Sequence, residues 1–191
     1  PPHFIGGVSA WSMDMAMALS RAGHTVTVFA KSTGNTADHD TALPFPVHRV
    51  TGRSWAKWAG LWMRLATRGQ LADCDLVLAA SWPLATALGP VPRLAVAFHG
   101  SEITMLETAP RSLKRVSKAA DVQLPVSQFL ADELSRLGCA ETPTTVLPMP
   151  LDLDVQPAPT RSPSLVCVAR PTDRKGIDRA IGIASATGRH L

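Results

Sequence analysis

The chain has 191 residues, of which 46% are hydrophobic and 18% are charged, and its formal net charge at pH 7 is +4. This length fits one domain core of the usual size plus a piece of a second, and the composition excludes disordered and fibrous proteins. No apolar run approaches the ~18 residues that a membrane span needs, and the three cysteines follow no metal-binding spacing, which argues against zinc and disulfides.

Short β-like runs alternate with helical patterns through the first half of the chain. In chain order, the hydrophobic periodicity predicts a helix at 11–22 that stops at Gly23, a strand at 24–30, a polar loop at 31–43, a strand at 46–51, a helix at about 55–68, and buried strands at 75–81 and 93–99.

The alternation continues in the second half. The predicted elements are a helix at 112–120, a strand at 121–127, a helix that stops at Gly138, a strand at 144–149, a strand at 164–170, and a helix from Ile177 almost to Leu191. Regular β-then-α order predicts an α/β fold, a doubly wound parallel sheet with helices on both faces.

The domain boundaries follow from the proline-rich stretch at 149–163, which we predict to be a linker. Residues 1–148 would form a Rossmann-like domain, and 164–191 the first βα unit of a second domain. Because the first helix of such a sheet normally follows a strand, we expect a fragment that lacks its first strand and most of its second domain. A complete small protein that begins with a loop is the alternative.

Gly6 and Gly7 precede the first predicted helix. Glycines in a strand-to-helix loop let the backbone approach an anion, and the free amides of the helix point at it. The pair lacks the GxGxxG spacing of dinucleotide-binding loops, and an ordinary tight turn explains it equally well.

The stretch FHGSEI places His99 at the end of a strand, followed by Gly100, by Ser101 as a candidate helix cap, and by Glu102. A histidine at this edge could donate to or accept from a sugar hydroxyl, or lend positive charge to a developing anion. Alternatively, nearby backbone groups satisfy its ring and it has no catalytic part.

Two cations lie in VARPTDRKGIDRAI, with Arg170 at a strand end and Lys175 just before a helix. Together they could neutralise the charge that builds on a diphosphate leaving group. A solvated basic turn is the simpler interpretation.

Trp55, Trp58 and Trp62 recur at helical spacing among basic residues. A helix of this kind could lie in an acidic lipid surface. We favour a helix that packs its tryptophan face on the sheet, because a doubly wound fold needs that cover.

Taken together and in order, these stretches resemble glycosyltransferase family 4, whose members retain the configuration of the transferred sugar and have the two-domain GT-B fold. The resemblance covers nearly the whole chain. It rests on PPHFIGGVS with MALSRAGHTVTVFA, then FHGSEI, PVSQFLADEL, TVLPMPLDLD and ARPTDRKGIDRAI.

The resemblance implies an acceptor-side first domain and a second domain that binds a nucleotide-sugar donor. Gly6, Gly7, Arg170 and Lys175 would then hold the donor phosphates, and His99 would lie by the reacting sugar or acceptor as the catalytic candidate. The candidate acceptor or sugar-binding residues are Gly100, Ser101, Glu102 and Ser127.

The sequence departs from the family pattern in two places. Met149 to Asp152 replace the usual Asn-Gly-Val-Asp, so no role is transferred to that turn. The paired glutamates of the family would lie beyond Leu191, so the resemblance implies that this chain alone is not a competent catalyst.

We therefore predict part of a sugar-transferring enzyme of the cytoplasm, with or without peripheral membrane contact, that uses no metal and no cofactor besides its nucleotide-sugar substrate. Two alternatives stay open: a GT-B nucleotide-sugar epimerase, and a non-catalytic carbohydrate- or sugar-nucleotide-binding module. Nucleic acid is not expected as a partner, since the basic residues are scattered and no aromatic platform is evident.

Overall fold

The computed structural model describes residues 6–32, 37–50, 69, 71, 73–149, 164–169 and 171–190. The chain divides into two units, Pro1–Asp152 and Leu153–Leu191, which are treated separately below. The predicted tryptophan helix, Arg170 and nearly all of the predicted linker lie outside the described residues.

The first unit alternates helices with short strands. Its elements are α1 (Gly7–Arg21), β1 (Val28–Lys31), α2 (Ala37–Thr41), β2 (Val47–Val50), β3 (Val77–Ala79), α3 (Trp82–Ala85), β4 (Leu94–Phe98), α4 (Ser101–Thr104), α5 (Arg111–Ala119), β5 (Val122–Pro125) and α6 (Gln128–Arg136).

All of the described strand pairs are parallel. β1 pairs with β2, and β4 lies between β3 and β5. Residues 143–147 extend the second sheet beside β5, because the Gln123 N–H donates to the Pro143 carbonyl (2.8 Å) and the Thr145 N–H to the Gln123 carbonyl (2.9 Å). Parallel strands joined through helices confirm the predicted α/β class.

The core of the first unit forms around β4. All five of its residues are buried, as expected for a central parallel strand that is covered on both faces. Phe98, Leu113 of α5 and Leu134 of α6 are at most 1% exposed and belong to one apolar cluster. Each such side chain contributes about 2 kcal/mol by its burial, so the end of β4 is fixed by well-packed neighbours.

A buried polar cluster joins α5, β5 and the segment after α6. The Ser117 hydroxyl donates to the Cys139 carbonyl (2.8 Å), and the Gln123 side-chain amide donates to the same carbonyl (2.8 Å) and to Ser117 Oγ. The Thr142 hydroxyl donates to the Ser117 carbonyl (2.7 Å). These bonds compensate the cost of burying polar groups and hold β5 in register.

Two predictions in the first unit need correction. The polar loop predicted at 31–43 contains α2, and Arg49 of β2 binds its Asp40 through two bonds of 2.6 and 2.7 Å. The strand predicted at 24–30 begins only at Val28, where pairing with Val47 begins. Periodicity marks apolar runs, whereas a strand exists only where a partner offers backbone hydrogen bonds.

The second unit contains a 3₁₀ turn at Asp173–Lys175 and a helix, α7, at Ile177–Thr187. The strand predicted at 164–170 is wrong for the described residues 164–169, which form no ladder. Val166 and Val168 are 84% and 93% exposed, and no described strand of this unit is available to pair with them. The helix ends before its predicted limit because Gly188 adopts a left-handed conformation (φ +63°).

Candidate functional site

His99 follows β4 at the carboxyl edge of the parallel sheet and is 9% exposed. Its Nε2 lies 3.0 Å from the carbonyl oxygen of Ala80, the residue that follows β3. A carbonyl oxygen can only accept, so Nε2 carries the proton and Nδ1 of the neutral ring keeps its lone pair. No hydrogen bond joins Nδ1 to the part of the chain that the structure describes.

The His99 ring is held in its neutral form. Burial lowers its pKa, and the hydrogen bond to Ala80 offsets only part of that effect. The ring therefore presents a hydrogen-bond acceptor at neutral pH rather than a positive charge.

Trp11 of α1 connects the first helix to His99. The two rings meet edge to face, with their centroids 5.2 Å apart and their planes at 80°. Trp11 is fully buried, and its indole N–H has no partner among the described residues. This contact brings α1 to the sheet edge where β4 ends.

The first turn of α1 offers free backbone donors. Ala10 is the first residue whose N–H bonds within the helix, to the Gly6 carbonyl at 3.1 Å, which leaves the N–H groups of Gly7, Val8 and Ser9 without helical partners. No side chain caps this turn and it contains no acidic residue. Trp11 lies four residues after Gly7, about 6 Å along the helix axis, so the ring contact places this end of α1 near the His99 edge.

Gly6 and Gly7 are not crowded by any residue that the structure describes. A Cβ at either position would meet no described atom within 4 Å, and Gly6 has an extended backbone that any residue adopts (φ −158°). Neither crowding by described atoms nor strain at Gly6 accounts for the glycine pair. Glycine at these positions leaves the backbone free of side-chain bulk, which favours close approach of an anion.

Glu102 of α4 turns back toward β4. Its Oε1 accepts a hydrogen bond of 2.8 Å from the backbone N–H of His99. Its own carbonyl accepts from the indole N–H of Trp82 at 3.3 Å. Burial raises the Glu102 pKa from 4.5 to about 7, against the opposing effect of the bond from His99.

The remaining candidates of the first unit lie at helix starts beyond β4 and β5. Gly100 precedes α4 and Ser101 is its first residue. Ser127 precedes α6, and its hydroxyl oxygen caps that helix by accepting from the Leu130 N–H at 3.3 Å. Since both strands are parallel, all three residues lie at the same sheet edge as His99.

We call Gly6, Gly7, Trp11, His99 and Glu102 the sheet-edge site. It combines backbone donors at a positive helix end, a neutral imidazole and a partly buried carboxyl. Such a site can bind an anion and a hydroxyl group side by side.

Residues 5–155 match the family Glycosyltransferase Family 4. The chain belongs to glycosyltransferase family 4. The predicted family is thereby confirmed, and the parallel α/β architecture agrees with its Rossmann-like domain.

One relative of this family 4 chain is the putative colanic acid biosynthesis glycosyltransferase WcaL of Escherichia coli K12. The two are 29% identical over 97 residues, which is 47% of this chain and 24% of the relative. The match spans about a quarter of the relative's length.

Lys175 of this family 4 chain belongs to the second unit. It ends the 3₁₀ turn, is exposed, and is followed by Gly176 in a left-handed conformation (φ +62°) at the start of α7. A basic side chain beside a helix N-terminus suits a phosphate group. The assignment of Lys175 to the donor remains a prediction.

Sequence reasoning missed two members of the site region. Trp11 was predicted only as part of the apolar stripe of α1, although its position one turn after the glycine pair places it at the same end of the helix. Trp82, one residue after the buried Ser81 near the end of β3, was not singled out.

Within the described ranges, no group of three His, Cys, Asp or Glu residues converges to hold a metal ion. Of the helices that the structure describes, none has the length and apolar character to cross a bilayer.

Proposed function

We propose that this chain forms part of a retaining glycosyltransferase, which moves a sugar from a nucleotide-sugar donor to an acceptor hydroxyl. Membership of family 4 supports the reaction class. The observation that carries the proposal is the Trp11–His99 contact, because it joins the open first turn of α1 to the end of β4.

The first turn of α1 would hold the donor diphosphate or its sugar. Its free N–H groups and the positive end of the helix favour negative charge. No acidic side chain in that turn opposes an anion. Arg170 and Lys175 of the second unit are the cations predicted to bind donor phosphate, and a cation on a leaving diphosphate stabilises the charge that the diphosphate gains.

His99 would bind a hydroxyl of the sugar or of the acceptor through Nδ1. The proton on Nε2 is donated to the Ala80 carbonyl, so the other nitrogen of the neutral ring, Nδ1, can act only as an acceptor. A positive charge from this ring does not enter the proposal.

The transfer step needs no oxidant or reductant. The bond from the anomeric carbon to the diphosphate oxygen breaks, and the acceptor oxygen bonds to that carbon on the same face. The acceptor proton passes to the departing diphosphate, so the products are the glycoside and the nucleoside diphosphate. Backbone amides and cations would stabilise the developing charge.

The acceptor class can be narrowed by assay. The Escherichia coli relative is named for colanic acid biosynthesis, so growing polysaccharide intermediates are included among the acceptors to be tried.

The experiment measures transfer by the complete purified enzyme of which this chain is proposed to form part, with a panel of nucleotide-sugars and acceptors, and NMR reports the anomeric configuration of the product. We expect retention of configuration and a rate that falls about 100-fold or more in His99→Ala. His24→Ala, at an exposed loop position, is the matched control and should retain the rate.

Two results would contradict the proposal. Release of free nucleotide with an altered sugar in the absence of any acceptor would indicate an epimerase. A His99→Ala protein that transfers as fast as the control would remove His99 from the site.

A further inference from the structure

The Glu102 carboxyl contacts the backbone of His99 rather than its ring. The sequence predicted an acceptor- or sugar-binding role for this side chain. One of its oxygens is already engaged inside the protein, so its most direct influence on a substrate passes through His99.

The hydrogen bond fills a gap in the sheet. On the β3 side, the ladder ends with Ala79 opposite Val96, and on the β5 side the Val126 N–H still reaches the Phe98 carbonyl at 3.2 Å. His99, one residue further, has an N–H beyond the β3 ladder, and the Glu102 carboxyl takes the place of the missing strand partner.

Glu102 itself is anchored from two directions. The Trp82 indole binds its carbonyl, and the next residue, Ile103, is fully buried in the apolar core. A side chain whose main chain is held this firmly can transmit its position to its hydrogen-bond partner.

The bond from the His99 N–H requires an acceptor oxygen at this position and not a charge. A bond that only closes the turn between β4 and α4 could come from a neutral side chain, so glutamine tests whether the acceptor oxygen is what matters.

We propose that Glu102 is a positioning residue, which fixes the backbone of His99 so that its Nδ1 faces the substrate at the sheet edge. Three contacts then define the imidazole: Glu102 holds its backbone, Ala80 binds Nε2, and Trp11 packs against the ring. The proposal rests on the proposed function for the identity of the substrate, but not for the contact network.

The test compares Glu102→Ala and Glu102→Gln in the complete purified enzyme of which this chain is proposed to form part, with Glu107→Ala, at an exposed position in the loop after α4, as the matched control. The first readout is NMR, namely the exchange rate of the His99 amide proton and the shifts of its ring protons, which depend on Trp11. The second is kcat and KM for transfer.

We expect faster amide exchange and displaced ring shifts in Glu102→Ala, with kcat reduced about tenfold or more and KM for the donor changed less than threefold. Glu102→Gln should restore the amide protection, the ring shifts and kcat to within about threefold, because its amide oxygen can accept the same bond.

Either of two outcomes overturns the proposal: wild-type ring shifts and kcat in Glu102→Ala, or a Glu102→Gln protein as impaired as Glu102→Ala. Should Glu102→Ala fail to fold, Glu102→Gln alone decides through its His99 amide exchange. A complete enzyme without transferase activity would contradict the proposed function. The NMR comparison of Glu102→Ala with Glu102→Gln would still show whether Glu102 positions His99.

Discussion

Replacing Glu102 by glutamine should stabilise the protein at alkaline pH. The Glu102 pKa is raised to about 7 from an ordinary value of 4.5. The native state therefore binds a proton more tightly than the unfolded chain, and this contribution to stability is full below pH 4.5 and is lost as the pH rises through 7.

The difference between the two pKa values corresponds to about 3 kcal/mol of unfolding free energy at pH 8. Glutamine cannot ionise, yet its amide oxygen can accept the His99 N–H bond. The stability gained by Glu102→Gln over wild type should therefore grow by about 2 kcal/mol between pH 5 and pH 8. The His99 ring titrates in both proteins, so its effect cancels in the comparison.

Urea unfolding followed by tryptophan fluorescence at pH 5, 6, 7 and 8 measures this difference. Glu107→Gln, at an exposed position, is the control and should differ from wild type by a nearly constant amount. A Glu102→Gln difference that stays flat across the same range, or that favours wild type at pH 8, would refute the burial of a carboxyl at this point.

Three further predictions concern other parts of the chain. Leu134→Ala should cost about 2–5 kcal/mol of unfolding free energy, because Leu134 is only 1% exposed. Phe129→Ala on the same helix should cost under about 1 kcal/mol, since Phe129 is 60% exposed. Equal losses of unfolding free energy in urea would be inconsistent with the packing of α6. Ser127→Ala should cost about 1 kcal/mol in the same assay through loss of the α6 cap, and a neutral result would show that the cap is dispensable. Lys175→Ala should weaken nucleoside diphosphate binding roughly tenfold in calorimetric titration, and unchanged affinity would remove Lys175 from the proposed donor site.

The sequence predicted the fold class because its signals are local. The β-branched and apolar runs at β3, β4 and β5 were identified with errors of one or two residues at their ends. Glycine stops were equally informative: Gly23 and Gly138, both predicted to end helices, have positive φ after them. These features depend on residues close in sequence, so no knowledge of the tertiary structure is required.

Features that depend on distant partners were not predicted. α2 is held by a pair between Asp40 and Arg49 that periodicity cannot reveal. Cys167 lies within the strand predicted at 164–170 but is exposed, because its segment forms no ladder in the described part of the second unit.

In the candidate site, too, features set by nearby residues were predictable and features set by distant residues were not. The position of His99 at a strand end follows from the sequence, whereas its tautomer follows only from the carbonyl of Ala80, 19 residues earlier. The Trp11 contact joins residues that lie 88 positions apart, and only the fold brings them together.

The most direct test of the account is an NMR titration of the purified protein with its nucleotide-sugar and acceptor, following the amides of Gly7 and Val8 and the ring of His99. We predict that all three groups shift along one binding curve, since substrate occupies the space between the first turn of α1 and the end of β4. Saturation with substrate that leaves these three groups unmoved while other signals shift would contradict the assignment of this edge as the site of sugar transfer.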